Sequence, residues 1–113
     1  MALANVILDK TFEFALEVIE LCEMLEKNKK FVLANQLLKS GTSIGAQVRE
    51  AQNAESKADF IHKFKIAAKE VEETEYWLQL IQSAYRIDVG THLSNLMEVK
   101  RIISKIIISS KAK

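Results

Sequence analysis

Residues 56–86 read SKADFIHKFKIAAKEVEETEYWLQLIQSAYR, and within them Phe60, Phe64, Ala67, Val71, Thr74, Leu78, Ile81 and Tyr85 alternate at spacings of four and three. An α-helix turns once in ~3.6 residues, so this alternation keeps one apolar stripe on one face, the seam of a helical bundle. Ser56 stands at the N-cap and Asp59 follows three residues later, the acidic form of a capping box. The pattern predicts a helix over about 58–86, which at ~1.5 Å per residue spans ~45 Å. A second series, Lys63, Ile66, Glu70, Glu73, Trp77, Leu80 and Ala84, runs beside the seam.

Outward from this stretch, three further periodic segments emerge. Asp88–Gly90 reads as a turn, after which 91–109 carries Leu96, Val99, Ile103 and Ile106 inward and its basic residues outward. At the other end, 5–27 holds two apolar series: Leu8, Phe12, Ala15, Ile19, Cys22, and Ile7, Phe14, Val18, Leu21, Leu25. Together they cover about half the circumference, more than the single stripe a surface helix needs. The Asn28–Lys30 stretch is the expected turn, with Asn28 able to cap the next helix. The connections are too short for crossovers, so the fold class is all-α, an up-down-up-down four-helix bundle in one domain, 1–113. The absence of proline and the presence of only three glycines agree with long uninterrupted helices.

The helix predicted over 30–53 is unusual. Phe31, Ala34, Leu38, Gly41, Gly45 and Val48 form its packing stripe. A helical glycine costs ~1 kcal/mol relative to alanine, so Gly41 and Gly45 predict either a close helix crossing or a kink near Ser40. A second stripe, Gln36, Ser40, Ser43, Gln47 and Glu50, is wholly polar. It suits a solvent face, a partner surface or a wet channel, since its side chains are short or amide-bearing.

A net charge of +1 gives no global field toward nucleic acid or membrane. The distribution is uneven: Asp9, Glu13, Glu17, Glu20, Glu23 and Glu26 crowd the first helix, while Lys100, Arg101, Lys105, Lys111 and Lys113 mark the last. Two such helices would attract if packed side by side. Within the last helix Lys100, Arg101 and Lys105 are the local basic excess at helical spacing, the candidate phosphate contacts. Cys22 is the only cysteine, which fits a reducing cytoplasm. The first residues lack a basic n-region, and no apolar run reaches the ~20 residues of a membrane span.

Signals for catalysis are weak. Glu70 projects between the two series of its helix, and an unpaired carboxylate there is expensive to bury. A structural partner on another helix is the expectation for Glu70 and for Lys63, with Glu70→Ala strongly destabilising. Asp59 and His62 have half of a di-metal carboxylate motif, but His92 has no acid three residues before it, so no metal or cofactor is expected. Cys22 sits on an apolar stripe as an inert thiol, and Ser40–Gly45 lacks the lysine of a phosphate-binding loop. No enzyme is indicated.

The run from Gln36 to Ala46 (QLLKSGTSIGA), with Glu50–Ala51, Ser56, Asp59–Lys63 (DFIHK), Lys69–Glu70, Glu73–Thr74 and Tyr76–Leu78 (YWL), resembles the bacterial four-helix-bundle proteins encoded in intervening sequences of 23S ribosomal RNA genes. The resemblance covers nearly the whole chain. Where that family usually has Ala-Asn, this chain has Ala46-Gln47. The resemblance implies a ring-like homopentamer, no established enzymatic activity and a link to RNA or ribosomes. The family is similar to the accessory variability proteins of diversity-generating retroelements, basic pentamers that contact a reverse transcriptase and bind nucleic acid; this chain is far less basic. Two readings follow: a pentameric nucleic-acid or ribonucleoprotein accessory factor, partnered by RNA, DNA or a nucleic-acid-handling protein, or a protein-interaction scaffold. Neither involves a membrane.

Overall fold

A computed structural model describes residues 3–112. Four α-helices run Leu3–Lys27 (α1), Phe31–Ala51 (α2), Lys57–Tyr85 (α3) and Gly90–Lys111 (α4). Each boundary lies within a few residues of the one predicted from periodicity and caps. Ser56 is the α3 N-cap, its side chain accepting from the Asp59 amide at 3.0 Å, while Asp59 Oδ2 accepts from the Glu55 amide at 3.2 Å. The Ser56 bond is the cap the sequence predicts, while Asp59 reaches one residue past the N-cap amide that a capping box would use, to Glu55.

Cross-helix contacts give the topology. Gly41 and Gly45 of α2 face Val18 and Thr11 of α1. Ser40 and Glu50 of α2 meet Thr74 and Lys63 of α3, and Lys100 of α4 meets Glu72 of α3. Lys10 and Glu17 of α1 meet Glu98 and Asn95 of α4. Wherever two contacts join a helix pair, the number rises on one helix as it falls on the other, so those neighbours are antiparallel. Contacts join α1 with α2, α2 with α3, α3 with α4 and α4 with α1, closing a four-cornered bundle of 47 × 22 × 21 Å.

The core holds the seam residues predicted for α3 and α4, except that Phe60 and Tyr85 at the ends of the α3 seam are only half-buried, joined by Ile7, Phe14, Val18, Leu21 and Leu25 of α1. On α2 the buried stripe is Ala34, Leu37, Ser40, Gly41, Ile44, Val48 and Ala51. That corrects the α2 stripe read from sequence. Phe31 is exposed and Leu38 only half-buried, because the glycines turn the helix so that Leu37 and Ile44 point inward. The helix runs unbroken through both glycines, so they serve close packing and not a kink.

The first turn also differs from expectation. Asn28 does not cap α2: its Nδ2 donates back to the Met24 carbonyl at 2.9 Å, at the end of α1. Lys29 adopts φ 62°, with its amide donating to the Glu26 carbonyl and the Lys30 amide to the Leu25 carbonyl, each at 2.9 Å. This is a Schellman ending with lysine where glycine is usual. Lys30 Nζ then sits 4.8 Å over the Tyr85 ring, tying the turn to the far end of α3. Since a left-handed non-glycine residue costs roughly 1–2 kcal/mol, Lys29→Gly is expected to stabilise by about 1 kcal/mol in denaturant titration, net of glycine's greater freedom when unfolded. A loss of stability would contradict this account of the turn.

Candidate functional site: the outer face of α1 and the polar α2–α3 seam

At ~100° per residue, Phe12, Leu16 and Ile19 share one narrow arc of α1, turned well away from the Ile7–Leu25 core series. Phe12 is 57% exposed, Leu16 53% and Ile19 38%. Of the first apolar series, Cys22 is buried, Leu8 and Ala15 are half-buried, and Phe12 and Ile19 are exposed; Leu16, which neither series included, stands outside with them. Beside the outer stripe, Leu8, Thr11, Phe12 and Ala15 of α1 and Thr42, Gly45, Ala46 and Arg49 of α2 line a groove of about 140 Å³. Its floor is low because Gly45, Ala46 and Ala15 are small.

Part of the polar stripe of α2 packs on α3, through Ser40 and Glu50. Ser40 is buried, its Oγ 2.9 Å from Thr74 Oγ1, and Thr74 donates to the Glu70 carbonyl at 2.7 Å. Ser43 donates to the Lys39 carbonyl at 2.6 Å, within its own helix. Gln47 is half-buried, with Oε1 enclosed and unpaired, and Glu50 binds Lys63 Nζ at 3.3 Å. Gln36 stands exposed, and neither it nor Ser43 makes a hydrogen bond to α3. Short side chains let the two helices approach, and hydroxyls satisfy one another where they meet.

That hydroxyl pair can be tested. Thr74→Val should cost about 1–3 kcal/mol, because the Ser40 hydroxyl is then buried with only a poor 3.5 Å contact to the Leu37 carbonyl. Adding Ser40→Ala should recover much of that loss in a double-mutant cycle, since removing both partners leaves nothing unsatisfied. Additive losses would show that the two hydroxyls are not coupled.

Glu70 departs from the expected buried pair. It is half-buried, and Lys63 is engaged by Glu50 instead. Burial raises its carboxyl above the usual value, and Glu73 raises it further, while Lys39 of α2 acts the other way. Its charge is therefore a burden on the folded state, not half of a stabilising pair. A raised folded pKa means that folding is disfavoured once pH climbs past the ordinary carboxylate value. Glu70→Gln should accordingly match or exceed the parent in thermal melts at neutral pH, the difference vanishing in acid where both side chains are neutral. A clear drop at pH 7 would restore the original expectation.

Charge across the α1–α4 contact is also not as anticipated. The ion pair is Lys10–Glu98 at 3.0 Å, the minority sign from each helix, and Asn95 donates to Glu17 at 2.9 Å. Of the remaining acids of α1, Glu13 lines the same α1–α4 contact, and none among the described residues pairs with Arg101 or Lys105. Lys100 lies 2.8 Å from Glu72 and 3.9 Å from Glu75, which hold its ammonium above the usual lysine value. It is spoken for within the chain, which leaves Arg101 and Lys105 exposed; Lys113 lies outside the described residues.

Cys22 is buried, donating to the Ala34 carbonyl at 3.3 Å, and burial with nearby Glu26 pushes its thiol up to about 11. A thiol so placed is a poor nucleophile. Asp59 is committed to the α3 cap, and among the described residues no three His, Cys, Asp or Glu side chains gather as a metal site. No described helix is long and apolar enough to cross a membrane. Periodicity did not reveal Thr11, which is buried with its hydroxyl donating to the Ile7 carbonyl at 2.7 Å. Its only sequence signal was its place one turn before Ala15.

Fold and surface together define a compact antiparallel four-helix bundle that keeps one apolar stripe outside its own core. The chain belongs to the 23S rRNA-intervening sequence protein family, whose model matches residues 4–109. It is similar to a solved protein of unknown function from the S23 ribosomal protein family of Bacteroides thetaiotaomicron VPI-5482, with 42% identity and a TM-score of 0.89 over 94% of this chain and 98% of that one. Comparison with curated proteins gives no significant match.

Proposed function

We propose that the chain is a non-enzymatic bundle that works as a homo-oligomer, a pentamer on the family resemblance, and serves as an accessory scaffold in a reducing cytoplasm. The observation that carries this reading is the Phe12–Leu16–Ile19 stripe, three large apolar side chains left exposed along one helix face. Monomers seldom leave such a stripe bare, whereas an interface core collects aromatic and aliphatic residues. Light scattering at micromolar concentration should give a multiple of the 12.8 kDa chain mass, five-fold for the ring. A mass of one chain would overturn the reading.

A nucleic-acid role is the second reading, favoured by Arg101 and Lys105, which stay exposed one turn apart on α4. Lys100 contributes less than its position in sequence suggested, since it is shared between two glutamates. Contacts to phosphate would be weakly specific and steeply salt-dependent. Titration of labelled RNA and DNA at low and near-physiological salt tests it, with Arg101→Gln and Lys105→Gln expected to abolish any binding. No binding at low salt leaves the scaffold alone.

A further inference from the structure

Two outer faces of this chain are complementary in charge and form no ion pair with each other within one molecule, among the described residues. On α1, the stripe Phe12, Leu16 and Ile19 is flanked by Asp9, Glu13, Glu20 and Glu23, all exposed and in no ion pair among the described residues. On α4, Arg101, Lys105 and Ile108 recur at spacings of four and three on one exposed face, and Ile108 is 68% exposed. One face is an apolar stripe with acids along its edge away from the α2 groove; the other is a single aliphatic knob beside two cations. The direct α1–α4 contact uses Lys10 with Glu98 and Glu17 with Asn95 instead, which leaves these charges without an ion-pair partner among the described residues.

We infer that the α1–α2 face of one protomer receives the Ile108–Arg101–Lys105 face of α4 from a second copy, a head-to-tail contact. The inference rests on the homo-oligomer reading above and assigns its interface. Ile108 enters the groove beside Phe12, whose floor of Gly45, Ala46 and Ala15 leaves room for one branched side chain. Arg101 and Lys105 then lie against the acidic residues that border the stripe. Because the two faces differ, the contact is heterologous: each protomer donates one and accepts on the other, so assembly proceeds to a closed ring or an open chain and not to a two-fold dimer. The competing arrangement is a two-fold contact of the α1–α2 face with itself, for which Arg49 at the groove supplies an opposite charge. The head-to-tail contact also engages the two cations that a phosphate would need.

Blocked variants separate the arrangements. F12K/L16K removes the accepting face and R101E/K105E the donating one, with I108D as a second donating-face variant that keeps the cations. All three lie on the surface, and unchanged circular dichroism would show that the bundle persists. Alone, each is expected to run as one 12.8 kDa chain under conditions where the parent assembles. Mixed in equal amounts, F12K/L16K and R101E/K105E retain one good face each and should form a one-to-one pair of about twice that mass. R101E/K105E and I108D assembling as the parent does would overturn the inference while leaving the homo-oligomer standing, as would a mixture that stays monomeric. A monomeric parent would instead overturn the homo-oligomer reading on which it rests.

Discussion

Gly41→Leu is expected to be the most damaging single substitution outside the large apolar side chains of the core. A Cβ built at Gly41 would lie 2.9 Å from both Cγ1 and Cγ2 of Val18, closer than real Cβ atoms come. Val18 is fully buried and β-branched, so its methyls have no free rotamer into which to retreat. The helices must part or Val18 must leave its well. Overpacking of this kind costs about 1–3 kcal/mol, and leucine, with three more carbons than alanine, lies at or beyond the upper end. Gly41→Ala should already destabilise, despite the ~1 kcal/mol that alanine gains in helix propensity.

Gly45 provides the internal control. Its added Cβ would meet Thr11 Oγ1 at 3.3 Å and Thr11 Cβ at 3.4 Å, tight but close to ordinary contact. Gly45→Ala should therefore be near neutral in the monomer, while Gly45→Leu should fill the outer groove and act on assembly more than on folding. Equal melting temperatures for the parent and Gly41→Leu would show that α1 and α2 do not cross there.

The second large effect is on mass. Replacing Phe12, Leu16 and Ile19 together by glutamine should reduce the assembly to single 12.8 kDa chains while the helical signal persists. Full burial of such a side chain is worth ~1.5–3 kcal/mol, and with roughly half its surface still open each has about 1 kcal/mol left to gain. Three of them amount to about 3 kcal/mol, on the order of a hundredfold in association constant. The stripe contributes little to the monomer's own core, so the monomer's stability should barely change. A variant that still assembles like the parent would place the interface elsewhere.

Periodicity alone was enough for the architecture. The alternation of four and three in Phe64, Ala67, Val71, Thr74, Leu78 and Ile81 fixed which face of α3 is buried, and all six are buried. Leu96, Val99, Ile103 and Ile106 did the same for α4. These helices have one apolar face against a polar one, so a single hydrophobic pattern has one solution. Ser56 and Asp59 fixed the start of α3 because an N-cap is local chemistry, complete within a few residues. That Gly41 has a structural role was likewise legible, since a glycine inside a helix needs a reason, but the choice between close packing and a kink fell to the contact with Val18.

What remained open lay where one helix offers two solutions. α1 is apolar over half its girth, so sequence could say that the arc was too wide but not that Ile7, Phe14 and Val18 go in while Phe12 and Ile19 stay out; the packing of α2 and α4 on α1 decides that. The rotation of α2, with Leu37 and Ile44 inward, followed from the contact of Gly41 with Val18. Partnering was the least visible of all. Glu50, and not Glu70, holds Lys63, and Glu72 and Glu75 claim Lys100. Long charged side chains pair with whatever the packing brings near, and that proximity is a property of the assembled bundle, set by helix register and rotation and written in no single stretch of the chain.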